Sequence, residues 1–211
     1  LEKLGYRVSY LDVDSAGIVK LSDLEKWIKD GEKSDEPKDK ISVISVMYGN
    51  NEIGTIQPLE EIGNLAKRFH IPFHTDAVQA IGQVPISIKR LPIDMLSASA
   101  HKFHGPKGIG FLYVKEGITL PSFIHGGGQE RGKRAGTENV AGIVGMAKAL
   151  SIANRDIERK SKDIASLRNY FIKRVQQEIP DCRLNGHQKK RLPGNANFSF
   201  KGISGTALLV L

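Results

Sequence analysis

A lysine can form an imine with an aldehyde, a carboxylate can hold a cationic ring nitrogen, and amides and hydroxyls can hold ring and phosphate oxygens. The sequence offers each kind of group directly after an apolar stretch of strand length. Asp76 follows Ile71-Pro72-Phe73-His74-Thr75, with Gln79 three residues on. Lys102 follows Met95-Leu96-Ser97-Ala98-Ser99, within Ser99-Ala100-His101-Lys102-Phe103-His104-Gly105. Asn50-Asn51-Glu52-Ile53-Gly54 follows a third run, Ile41–Met47. In open α/β sheets ligands gather beyond the carboxyl ends of the strands, so these groups are placed to share one site. Taken singly, Asp76 more often reads as a turn or helix cap, and Lys102 as a solvated loop lysine. His101-x-x-His104 could pair on a metal, but no Cys or carboxylate accompanies it at ligand spacing, and no metal is expected.

The elements that would position these groups alternate between strand-like and helix-like patterns. Tyr6–Val13 reads as a strand, and Leu21, Leu24, Trp27 and Ile28 have helical spacing. Asp30–Lys40 is polar throughout and reads as an exposed, mobile loop. Ile41–Met47 is a continuous β-rich run of the kind covered on both faces, and Pro58 opens a helix to about Phe69. Ile71–Thr75, Met95–Ser99 and Ile109–Val114 are further strands. A glycine-rich region between Lys115 and Glu138 contains Gly126-Gly127-Gly128-Gln129-Glu130-Arg131-Gly132. It precedes helical stretches at Asn139–Ala153 and Ile157–Ile179, and free N–H groups at a helix start suit phosphate. Cys182–Leu184 and Asn195–Phe200 read as strands, and Ser204–Leu211 begins a helix. The expected fold is α/β with a mostly parallel sheet, followed by a linking helix and the start of a smaller α+β unit. Both ends read as cut, so a fragment is expected.

Composition narrows the class. At 211 residues, with 40% hydrophobic and 26% charged residues, the chain is an ordinary globular sequence. No apolar run approaches the roughly 20 residues needed to cross a bilayer, and no membrane association is expected. The single cysteine, Cys182, excludes an internal disulfide and fits a reducing compartment such as the cytoplasm. Twelve Lys/Arg against five Asp/Glu from Arg155 onward give that part a net charge of +7 within the overall +8. A basic segment of this kind could serve a nucleic acid or an acidic partner as a non-catalytic binding module. Aromatics do not interleave with the charges as a stacking surface needs, so a solvated helix face is expected and nucleic acid is not.

Four motifs, in this order and spacing, carry a resemblance through essentially the whole chain. They are Asn50–Gly54 with Thr55-Ile56-Gln57-Pro58, His74-Thr75-Asp76-Ala77-Val78-Gln79, Ser97–Gly110, and Gly126–Asn139. The later segments Leu192-Pro193-Gly194-Asn195 and Gly202-Ile203-Ser204-Gly205 extend it. Together they resemble the cysteine desulfurases of the iron–sulfur-cluster group, in the class V aminotransferase branch of fold-type I pyridoxal-phosphate enzymes.

The resemblance implies a pyridoxal 5'-phosphate cofactor held by Lys102 as a Schiff base. It implies that Asp76 pairs with the pyridinium, that Gln79 bonds the phenolate oxygen, and that Ser99 and His101 contact the phosphate. It puts Asn51 near the cofactor oxygen and the substrate carboxylate, and Thr137 on the phosphate of the neighbouring protomer in a homodimer. Arg131 and Arg134 read equally as helpers or as structural loop arginines. It further implies L-cysteine as substrate, L-alanine as product, and an iron–sulfur scaffold or other acceptor protein as the recipient of sulfur.

The family's histidine over the ring face and its Gly-Thr phosphate turn would lie upstream of Leu1, and its nucleophilic cysteine beyond Leu211. Cys182, at a strand start, does not match that cysteine. The implied division is a large cofactor-binding domain over residues 1–138, linking helices over 139–178 and the beginning of a small domain over 179–211. Selenocysteine lyases, other class V aminotransferases and kynureninase-like enzymes would share Asp76, Lys102 and the sheet.

Overall fold

The computed structural model describes every residue except Asp35, Pro37, Lys38 and Leu211. Those four include part of the polar stretch read as a loop and the end of the last helix, and those readings lie outside the described residues there. The elements run α1 (Leu21–Glu32), β1 (Ile44–Ser45), α2 (Leu59–Arg68), β2 (Phe73–Asp76), β3 (Met95–Ser99), β4 (Gly110–Val114), α3 (Val140–Asn154), α4 (Ile157–Glu178), β5 (Cys182–Leu184), β6 (Phe198–Phe200) and α5 (Gly205–Val210).

A four-stranded sheet has the order β1-β2-β3-β4, and β5 and β6 form a separate antiparallel pair. β1, β2 and β3 are parallel, whereas β4 returns antiparallel to β3. The sheet is therefore mixed but mostly parallel, an α/β arrangement. Among the described residues no helix is long and apolar enough to cross a membrane.

α2 shows how sequence makes an element here. Leu59, Ile62, Gly63 and Ala66 form one buried stripe, while Glu60 and Glu61 lie in the first turn and Lys67 and Arg68 in the last. That charge order opposes the helix dipole at both ends. The stripe packs with Leu24 and Ile28 of α1 against Ile44, Val46, Phe73, Leu96 and Ala98, which form the main core on one face of the sheet. A smaller core joins Ala100 and Phe103 to Met146 of α3. It ties the segment after β3 to the helix that follows the glycine-rich region.

Two strand readings need correction. Tyr6–Val13 forms no strand; only Val13 makes an isolated bridge, to Val19, and Tyr6 and Tyr10 are exposed. Its alternating pattern finds no ladder partner among the described residues. Ile41–Met47 pairs as a strand only at Ile44–Ser45, although the N–H groups of Ile44, Val46 and Tyr48 all bond to the β2 side. Nor is it covered on both faces: Ile44 and Val46 are buried, but Val43 and Met47 are exposed.

Thr75, wholly buried on the core side of β2, has a hydroxyl without a hydrogen-bond partner among the described residues. A buried hydroxyl left unpaired costs free energy that an apolar side chain of the same shape avoids. Thr75→Val should therefore raise stability by about 1 kcal/mol. Urea unfolding should show a higher midpoint at unchanged slope.

Candidate active site

Alternation along β2 sends Phe73 and Thr75 into the core and turns His74 and Asp76 to the opposite face. The register sets Ser45 beside His74 and Ser97 beside Asp76. His74 bridges the strands: its Nδ1 lies 2.8 Å from Ser45 Oγ and its Nε2 3.2 Å from Ser97 Oγ. Burial pushes the His74 imidazole below its usual pKa, with partial relief from the charge of Asp76. A neutral ring donates from one nitrogen and accepts at the other, so either tautomer completes the Ser45–His74–Ser97 staple. The staple fixes all three parallel strands just beneath Asp76.

Asp76 is the last residue of β2. Its Oδ1 accepts the Val78 N–H at 2.9 Å, and its carbonyl accepts the Tyr48 N–H at 2.7 Å. Its second carboxylate oxygen takes no hydrogen bond from the described residues and lies exposed. Gln79 follows on a tight turn made by the bonds of Ala80 and Ile81 N–H to Ala77 O, half-buried with an uncommitted amide.

At the end of β3, Ser99 Oγ and His101 Nδ1 are 2.8 Å apart. A single 3-10 turn, Ala100–Phe103, then decides where Lys102 goes. Its threefold period puts Ala100 and Phe103 together in the smaller core and leaves His101 and Lys102 on the outside. Lys102 thus stands at the carboxyl end of β3, with no hydrogen-bond or ion-pair partner among the described residues.

The third strand end belongs to β1. Asn50 Oδ1 accepts both the Glu52 and Ile53 N–H groups at 2.9 Å and closes a turn with Asn51 at its exposed apex. The turn sits beside Asp76 because Tyr48 ladders onto it. Asn51, Asp76, Gln79, Ser99, His101 and Lys102 therefore all gather at the carboxyl edge of three parallel strands.

Thr137 is placed differently. It is exposed, two residues before Asn139, which caps α3 by accepting the Gly142 N–H at 3.0 Å. No hydrogen bond among the described residues links Thr137 to the strand-end group. Arg134 donates to its own neighbour's carbonyl, that of Ala135, at 2.7 Å. Arg131 has a left-handed backbone at φ 58° and its side chain is exposed.

The chemistry of this donor set fits pyridoxal 5'-phosphate. A free carboxylate oxygen suits a ring N–H⁺, a free amine suits an aldehyde, an amide suits a phenol oxygen, and a hydroxyl–imidazole pair suits phosphate. His74 and its two serines were not anticipated as part of the site. The polar positions Ser45, His74 and Ser97 inside otherwise apolar strands were the available signal, since side-chain hydroxyls and imidazoles on adjacent strands can bond across the sheet.

The family described as aminotransferase class-V matches residues 1–211. The cysteine desulfurase IscS of Clostridium botulinum is 50% identical over 212 residues, covering 100% of this chain and 51% of that protein. A solved structure described as a NifS-like protein has a TM-score of 0.89 and 39% identity, covering 100% of this chain and 55% of its own. Another, described as SspA in complex with cysteine, has a TM-score of 0.75 and 34% identity, covering 95% of this chain and 53% of its own. The chain spans about half the length of the relatives it matches.

Proposed function

The chain belongs to the class V aminotransferase family, and from that premise we propose that it forms the cofactor-binding part of a pyridoxal-phosphate cysteine desulfurase. The observation that carries this reading is the polar cluster at the strand ends, in which, among the described residues, Lys102 has no partner and Asp76 keeps one carboxylate oxygen free. The names of the relatives support it, and so does the cysteine bound to SspA.

In this reading Lys102 anchors the cofactor through Nζ and Asp76 holds the ring nitrogen. Gln79 bonds the phenol oxygen, Ser99 and His101 hold the phosphate, and Thr137 reaches the phosphate across a homodimer. Asn51 orients the substrate carboxylate. The bound group supplies an electron sink for the pair left behind when a Cα proton departs. With the cofactor bound, Lys102 Nζ would be the group that takes and returns that proton. The carboxylate of Asp76, on strands fixed by the His74 staple, keeps its charge where the ring nitrogen needs it.

The net conversion takes L-cysteine and a protein thiolate to L-alanine and a protein persulfide. The sulfur then passes to an iron–sulfur scaffold or another acceptor protein. Residues 1–138 act as the large domain, 139–178 as linking helices and 179–211 as the beginning of the small domain.

The direct test is release of alanine and, with a thiol reductant present, sulfide from L-cysteine by the native-length protein. Alanine and sulfide in equal amounts support the reading. Transamination of cysteine without sulfide contradicts it.

Cys182 is not the thiolate in this scheme. It lies half-buried in β5, in the β5–β6 pair separate from the sheet that carries the strand-end group, with its thiol 3.7 Å from the Val175 carbonyl. Cys182→Ser should leave alanine release within about twofold of the parent, as substitutions away from a site usually do. Steady-state assay of the purified variant checks this.

A further inference from the structure

The turn that carries Asn51 is held from the far end of the chain. Its three consecutive carbonyls, those of Glu52, Ile53 and Gly54, accept hydrogen bonds from Asn195 Nδ2 at 2.8 Å, Arg191 Nη2 at 3.1 Å and the Leu192 N–H at 2.8 Å. The contacts continue past the turn, with Ile56 N–H bonded to Lys190 O at 3.0 Å and His187 N–H bonded to Thr55 Oγ1 at 2.9 Å. Gly54, at φ 76°, lies so close to Asn195 that any side chain there would collide with the amide.

The guanidinium at the centre of this clasp is unusual. Arg191 is 4% exposed, and no carboxylate lies within ion-pair distance of it among the described residues. Its charge is instead met by oxygens of neutral groups: the carbonyls of Ile53, Asn185, His187 and Asn195 and the side-chain oxygen of Asn195, at 2.9–3.4 Å. Burial and the charge of Arg168 both disfavour its protonated form. Arg168 in turn donates to Leu192 O at 2.8 Å, fixing the segment to α4. A buried cation held this way costs desolvation energy that an apolar residue would not, and its fan of donors gives a defined backbone geometry in return. The geometry it defines is that of the Asn51 turn.

We infer that Arg191 and Asn195 are positioning residues that hold the Asn51 turn in register with Asp76 and Lys102 and thereby set substrate affinity. The inference rests on the functional reading above, in which Asn51 orients the substrate carboxylate. Neither side chain reaches the strand-end group itself; both act through the backbone of residues 52–54.

Asn195→Ala removes the donor to Glu52 O and the acceptor for Arg191. Asn195→Asp removes the donor to Glu52 O and keeps the acceptor, now charged against Arg191, which preserves that contact and guards against simple unfolding. Two measurements on the native-length protein are decisive. First, amide exchange in the cofactor-free protein should accelerate about tenfold across residues 50–56 in both variants, as expected for the loss of one or two hydrogen bonds, and stay unchanged across β2 and β3. Second, KM for L-cysteine should rise about tenfold while kcat stays within about twofold, the pattern left when an interaction made equally in ground and transition states is lost.

Unchanged exchange at residues 50–56, or accelerated exchange with an unchanged KM, overturns the inference. A fall in kcat with KM unaltered overturns it as well. A parent protein that binds no cofactor and releases no alanine overturns the functional reading itself, an outcome read on the parent alone.

Discussion

Lys102→Ala should abolish the visible absorbance of the protein-bound cofactor and lower alanine release from L-cysteine by at least about a thousandfold, the combined cost of losing the covalent anchor and a general acid–base group. The size of the effect follows from how Lys102 is held. Its turn is fixed by Ala100 and Phe103 in the smaller core, and its own side chain contributes no packing. The variant should fold as the cofactor-free parent does, with the unfolding midpoint of that form, so the loss is chemical. Lys107, exposed in the following turn, is the control: Lys107→Ala should keep both absorbance and activity. A band that survives Lys102→Ala would assign the anchor to another residue.

Asp76→Asn should retain the covalent attachment yet lower kcat by about a hundredfold to a thousandfold, the scale seen when one preorganised electrostatic group is removed from a site. The amide matches the carboxylate in shape. Its oxygen can still accept the Val78 N–H that Oδ1 now takes at 2.9 Å, so the turn to Gln79 is kept. What disappears is the charge that favours a protonated ring nitrogen. The absorbance of the bound cofactor should therefore shift with pH where the parent's does not. Restoring the charge one methylene further out, with Asp76→Glu, should recover only part of the rate. An Asp76→Asn enzyme with parental kcat would remove the electrostatic role.

The groups proposed to do chemistry were readable because each stands at the end of a recognisable apolar run, and parallel strands bring their carboxyl ends together. Asp76, Ser99 and Lys102 needed no long-range information. The direction of β4 was less evident, although its signal was present. Only ten residues separate Ser99 from Gly110, shorter than the dozen or more that a parallel crossover requires.

Tyr6–Val13 misled because alternation reports a half-buried surface and says nothing of whether a partner strand exists. The Arg191–Asn195 clasp could not be read at all. Its bonds to Ile53 and Glu52 span sequence separations of 138 and 143 residues, and neither side chain carries a local pattern that points across the chain. The Leu192–Asn195 segment stood out only through resemblance, without a role. The His74 staple lay between these extremes, visible as polar residues in apolar strands but interpretable only once β1, β2 and β3 were in register.

The central claim is that one lysine, Lys102, carries the cofactor. Reduction of the purified native-length protein with borohydride, followed by proteolysis and mass spectrometry, tests it without any assay of turnover. The expected result is a single peptide bearing the reduced pyridoxyl phosphate group, with fragmentation placing it on Lys102. A group found on any other lysine, or no modified peptide from a cofactor-saturated sample, would contradict it.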